Sequence, residues 1–141
     1  MRHIDTALLL LACGTAATGQ QKSVPTFVID RPTLIAFFRP VSDEEMDKNP
    51  DINEALGDFQ LYASRVNRPL RNAGIAFEVA SAVKFRVKDG GAVRIFNTGK
   101  IGVGYYFVAP GKQPHVEYGV ETDPDILEAA RKYFQIPIAA P

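Results

Sequence analysis

At 141 residues the chain has the length of one ordinary domain, long enough to bury a core without disulfides or metals. A hydrophobic fraction of 46% and a charged fraction of 23% exclude a disordered or collagen-like polymer, and 16 Lys+Arg against 16 Asp+Glu remove the electrostatic case for nucleic acid as a partner. One Cys excludes an internal disulfide, two His leave little for a histidine-rich metal site, and neither metal nor cofactor is expected.

Residues 1–19 read apart from the rest. Arg2 and His3 precede Ala7-Leu8-Leu9-Leu10-Leu11-Ala12, and small residues follow from Gly14 to Gly19. A positive start, an apolar stretch and a small-residue exit make a secretory signal. The stretch is short and Asp5 interrupts the positive start; a start codon set too far downstream accounts for both. Leu10-Leu11-Ala12-Cys13 resembles the bacterial lipobox, whose Cys is acylated and becomes the first mature residue. That resemblance implies a periplasmic protein anchored to a membrane through lipidated Cys13. The alternatives are a secreted or soluble periplasmic protein cleaved near Ala17-Thr18-Gly19, and a cytosolic chain with a greasy start. Residues 20–25 extend a small, polar run and serve as a tether to a domain over 26–141.

The body opens with Thr33-Leu34-Ile35-Ala36-Phe37-Phe38, a continuous apolar run that predicts a strand buried on both faces. Ser42-Asp43-Glu44-Glu45 is a capping box, and Asn49-Pro50-Asp51 is a second helix start. Ile52, Leu56, Phe59, Ala63, Val66, Leu70 and Ala73 then fall on one stripe of a long helix closed by Gly74, with Pro69 expected to kink or interrupt its last turn. Ile75 to Ala80 predicts a strand. Val83, Phe85 and Val87 alternate with Lys84, Arg86 and Lys88, and Asp89-Gly90-Gly91 turns into Val93 and Ile95. The expectation is a hairpin with one greasy and one basic face. Val103 to Val108 is an aromatic strand, Ala109 to Lys112 a turn, and Val116 to Val120 the returning strand. Asp123-Pro124-Asp125 opens a last helix with Ile126, Leu127, Ala130 and Phe134 inward.

Buried strand, long helix, strand, then strand–turn–strand–helix is an order that resembles the thioredoxin-like fold over residues 26–136. The resemblance implies a single α/β domain, a central mixed sheet flanked by helices, with the basic hairpin inserted where the family usually has a helix. The family's first central strand runs into Cys-x-x-Cys at the start of the long helix. Here Phe37-Phe38-Arg39-Pro40-Val41 leads into Ser42-Asp43-Glu44-Glu45, with no sulfur. The family's cis-proline position is replaced by Ile101-Gly102-Val103-Gly104. Thiol–disulfide exchange needs a thiolate, so that activity does not carry over. What carries over is a peptide-meeting edge, with Arg39, Ser42, Glu45, Gly102, Tyr105 and Tyr106 as candidate binding residues. Consecutive Tyr105 and Tyr106 point to opposite faces, so at most one lines that edge.

Three constellations compete with simpler roles. The acids Asp43, Glu44, Glu45 and Asp47 lack calcium-loop spacing and read as capping and a solvated turn. His115 and Glu117 share a strand face and could supply general-base chemistry, the catalytic alternative, although no Ser or Tyr nucleophile is identifiable. From Arg65 to Lys112, nine bases face two acids, while Asp30 to Asp58 holds eight acids and three bases. Arg65, Arg68, Arg71, Lys84, Arg86, Lys88 and Arg94 could serve an anionic surface or polymer, or simply neutralise the acidic segment. The leading expectation is a non-catalytic binding module of the bacterial cell envelope with a protein or peptide partner. A small hydrolase using His115 and Glu117, and an anionic-surface binder, are the alternatives.

Overall fold

The computed structural model describes residues 24–98 and 102–141. The leader over 1–19, Cys13 and most of the tether lie outside the described residues. In chain order the elements are β1 (Thr26–Ile29), β2 (Thr33–Phe38), α1 (Asp43–Lys48), α2 (Pro50–Asn72), β3 (Ala76–Ser81), β4 (Lys84–Asp89), β5 (Ala92–Asn97), β6 (Val103–Val108), β7 (His115–Tyr118) and α3 (Asp123–Phe134). The described residues thus form an α/β structure with two mixed sheets and three helices. One sheet has the order β3-β2-β6-β7, the other β1-β4-β5. β2 runs parallel to β3 and antiparallel to β6, and β6 antiparallel to β7.

The continuous apolar run of β2 lies in the middle of the larger sheet because its side chains alternate between two cores. Leu34 and Ala36, with Tyr105 and Phe107 of β6, face α2 and α3, where Phe59, Ala63, Val66, Leu70, Ile126, Leu127, Ala130 and Phe134 are buried. Ile35 and Phe37, with Tyr106 and Val108, face Ile29, Phe85 and Val87 of the smaller sheet. The expectation is a central mixed sheet flanked by helices, with an inserted basic hairpin. Instead α2 and α3 cover one face and a three-stranded sheet covers the other.

The hairpin departs from expectation in a way that parity explains. Asp89 pairs with Ala92 across Gly90-Gly91, so every pair joins positions of opposite parity, odd on β4 with even on β5 and even with odd. Phe85 and Val87 therefore share the core side with Phe96 and Arg94. Val93 and Ile95 fall on the outward face with Lys84, Arg86 and Lys88, so that face is mixed. A greasy face gathering Val87, Val93 and Ile95 would need an odd number of turn residues. β1 escapes a reading by local pattern because it has four residues and its parallel partner β4 lies sixty positions on, Thr26 opposite Arg86. α2 runs through Pro69 to Asn72, and Gly74 follows at φ +79, the left-handed position that suits glycine after a helix.

Candidate functional site

β2 delivers Arg39 to the end of the larger sheet, and β6 begins beside it. The Arg39 N–H donates to the Gly102 carbonyl at 2.5 Å, which fixes the two segments against each other. Gly102 has φ +75, and a Cβ there would lie 3.0 Å from Arg39 Cβ, so conformation and close approach both require glycine. Gly104 is held tighter still: a Cβ would sit 2.4 Å from the Glu117 carbonyl oxygen and 2.7 Å from Phe37. The Arg39 guanidinium lies 3.7 Å from the Glu45 carboxylate, a half-exposed pair of modest strength. Glu45 in turn belongs to the cap. Its N–H donates to Ser42 Oγ at 3.1 Å, and its carboxylate accepts from the Ser42 N–H at 3.3 Å. The expected capping box is therefore formed, and it occupies both the Ser42 and the Glu45 side chains.

Around this junction lies a cleft of about 250 Å³ lined by Arg39, Val41, Ile52, Ala55, Leu56, Gly102 and Val103. Across Arg39 a second hollow of about 430 Å³ is lined by Pro25, Pro40, Ala82, Val83 and Lys84 among others. Arg39 borders both. Its stem supplies apolar wall and its head supplies a donor fork, a combination suited to holding a chain carbonyl or carboxylate. The sequence identified Arg39, Ser42, Glu45 and Gly102 as neighbours in this region. It missed Val41, Ile52, Leu56 and Val103, because Ile52 and Leu56 belong to the apolar stripe of α2 and read as core. Their position in the helix's first turns, next to the Arg39–Gly102 junction, is what leaves them at the cleft.

Tyr105 and Tyr106 do not line the cleft. Tyr105 is buried against Phe59 in the helix-side core, and Tyr106 is buried against Phe85 and Phe96 between the sheets. Their opposite directions follow from strand alternation, but both directions lead inward because the sheet is covered on both faces. Burial pushes the Tyr105 phenol well above its usual range, and the Glu121 carboxylate adds to the shift. No described residue offers the Tyr105 hydroxyl a hydrogen bond, and one Glu121 carboxylate oxygen is likewise buried and unpartnered. Burial, then the charges of Glu117 and Asp125, raise Glu121 above the ordinary carboxylate range against a smaller opposing effect of His115.

His115 and Glu117 do meet, Nε2 to Oε2 at 3.4 Å, beside a hollow of about 300 Å³ shared with Ala129, Lys132 and Tyr133. The nearest phenol is turned to other work. The Tyr133 ring stacks on His115 with centroids 6.3 Å apart and planes 20° apart, while its hydroxyl donates to the Gln113 carbonyl at 2.7 Å. Near-parallel rings keep an in-plane O–H away from the imidazole. Among the described residues the pair thus brings an imidazole and a carboxylate together, with the neighbouring Tyr133 hydroxyl engaged elsewhere.

The basic segment is divided by the fold. Arg65, Arg68 and Arg71 belong to α2, on one side of the larger sheet, and Arg65 is 3.6 Å from Asp123. Lys84, Arg86 and Lys88 lie on the opposite side, facing outward from β4. Arg94 points toward the core side of β5, where one of its guanidinium nitrogens is buried without a partner among the described residues and another donates to Gln113. Among the described residues no group of three or more His, Cys, Asp or Glu side chains converges to hold a metal. No protein-family model, no curated protein and no solved structure matches the chain.

Proposed function

We propose that the chain is a thioredoxin-like domain without a redox pair, exported to the bacterial envelope, where it binds a peptide or protein segment in the cleft at Arg39 and Gly102. The observation that carries this is the junction itself: a strand end, a helix start and a glycine-led strand meet around an apolar cleft with one guanidinium and no thiol. The strand order β3-β2-β6-β7, with β3 and β2 parallel, β6 and β7 antiparallel to their neighbours and a terminal helix, supports the fold assignment. Three departures from the family pattern favour binding over chemistry. Ser42 and Glu45 replace sulfur and are engaged in a cap, Gly102 stands where a proline is usual, and a small sheet replaces a helix on one face.

Envelope placement rests on the leader pattern of residues 1–19, and membrane anchoring rests on Cys13. Full chain recovered without fatty acid, unchanged by Cys13→Ser, would remove the anchor. The cleft is tested by screening a peptide array against the full chain and its variants. Peptides that bind should lose on the order of tenfold or more in affinity with Leu56→Glu, which places an unpaired charge in an apolar wall. His115→Ala should leave them unchanged. Peptide binding indifferent to Leu56→Glu and Arg39→Ala would sink the cleft, and turnover lost in His115→Ala would favour the hydrolase alternative.

A further inference from the structure

The smaller sheet turns one face to the aromatic core and the other to solvent. Along β4 the outward side chains are Lys84, Arg86 and Lys88, spaced by roughly 7 Å as alternate residues of a strand are. The register sets Lys88 between Val28 of β1 and Val93 of β5, and Arg86 between Thr26 and Ile95. Val28 is 72% exposed, Ile95 63% and Val93 53%. A central line of cations is thus flanked by aliphatic side chains on both neighbouring strands. No acid occupies an outward position on these strands. Asp30, just past β1, is paired with Arg31 at 3.2 Å, and the Asp89 carboxylate accepts from the Gly111 N–H. Lys84, Arg86 and Lys88 have no salt-bridge partner among the described residues; Arg86 contacts only the Thr26 hydroxyl at 3.3 Å.

We propose that this outward face docks on an anionic lipid surface, with the β4 cations against headgroups and Val28, Val93 and Ile95 in the interfacial layer. Charge complementarity gives the sign of the partner, and the flanking aliphatics decide its kind. A polyanion would satisfy the cations and leave three exposed branched side chains in water, whereas a lipid interface takes up both. The chain outside the described residues argues for the same orientation. Residues 1–23 join the domain at Val24, two positions before β1, so any attachment made by the leader is delivered at this sheet. The inference stands apart from the Arg39 cleft, and loss of either leaves the other intact.

The test is vesicle flotation of the full chain carrying Cys13→Ser, so that no acyl chain contributes. Vesicles of phosphatidylcholine are compared with vesicles of phosphatidylcholine and phosphatidylglycerol, and the leader, which carries Arg2, is identical in parent and variants, so its share cancels between them. The chain should prefer the anionic vesicles, and added salt should erase the preference. Replacing Lys84, Arg86 and Lys88 by Gln should lower partitioning on the order of a hundredfold. Val28→Ser with Ile95→Ser should lower it on the order of tenfold. All five positions point outward, and circular dichroism verifies that the variants fold. Leu56→Glu should change nothing here. Equal binding to both vesicle types, or a preference undiminished by loss of the three cations, overturns the proposal. So does binding to heparin together with vesicle binding indifferent to Val28→Ser and Ile95→Ser, which would mark a polyanion site.

Discussion

The two faces of the β3-β2-β6-β7 sheet are closed by different means. On one, α2 and α3 lay down stripes of Phe59, Ala63, Val66, Leu70, Ile126, Leu127, Ala130 and Phe134. On the other, three strands apply Phe85, with Phe27 and Phe96 at the margin, to Phe37 and Tyr106 in a network of tilted and edge-on rings, Phe96 lying 5.0 Å from both Phe37 and Tyr106. A helix can confine its apolar residues to one stripe and solvate the rest of its circumference. A strand has only two faces, and a thin covering sheet has nothing beyond its outer one. Val28, Val93 and Ile95 are the apolar surface left over on that side. The helix layer leaves Leu61 exposed and Ile52 and Leu56 at the cleft, while the sheet layer turns a whole row of aliphatic side chains to solvent.

Matched truncations break or sharpen that contrast most strongly. Phe59→Ala and Phe85→Ala each remove a fully buried ring, one per layer, and each should cost about 3–5 kcal/mol. Both should shift one shared transition, because β2 and β6 place alternate side chains in both cores and neither layer can loosen alone. Urea unfolding followed in parallel by far-ultraviolet circular dichroism and tyrosine fluorescence checks this. Two separated transitions in Phe85→Ala would mean that the smaller sheet folds onto the rest as a detachable layer.

The contrast also governs what was legible beforehand. Where the pattern is local, sequence and structure agree closely. β6 spans Val103–Val108 as expected, α3 starts at Asp123, and its four inward residues are the four buried ones. On the sheet side the deciding facts are long-range. A two-residue turn rather than a three-residue one reverses the direction of Val93 and Ile95, and nothing in the alternation of β4 reveals which applies. β1 is too short to declare itself and gains meaning only from β4. Of the candidate site, the Arg39–Gly102 junction was readable because it rests on the order of elements. The tyrosines were misplaced because a strand covered on both faces has no free side.

A smaller effect belongs to the helix layer's entrance. Ser42→Ala removes the acceptor for the Glu45 N–H and should destabilise the domain by about 1 kcal/mol or less, since α1 has six residues and no buried side chain. The same substitution keeps the backbone N–H of position 42 as donor to the Glu45 carboxylate but loosens the turn that carries it, so it bears on the cleft as well as on stability. If the α1 turn positions the cleft through Glu45 and Arg39, peptide affinity should fall by more than the thermal midpoint suggests. If only stability changes, the cap is purely structural and the cleft depends on Arg39 and Gly102 alone.

The smallest effect is a pH dependence where β7 meets α3. Glu121 is raised above the ordinary carboxylate value of 4.5 by burial and by the charges of Glu117 and Asp125. A carboxyl that holds its proton more tightly when folded stabilises the fold fully below its unfolded pKa. That contribution is lost as pH rises from about the unfolded value of 4.5 through the folded one, where the unfolded chain has already ionised. Glu121→Gln keeps the shape and removes the charge. Its thermal midpoint should lie slightly above that of the parent chain at pH 7, and the difference should vanish below the unfolded pKa. The size is small because much of the side chain remains solvated and one oxygen alone is buried without a partner. A parent chain that gains stability relative to Glu121→Gln on going from acid to neutral pH would mean that the Glu121 charge is satisfied in the fold, and would turn this corner of the sheet from a strained site into an ion-pair site.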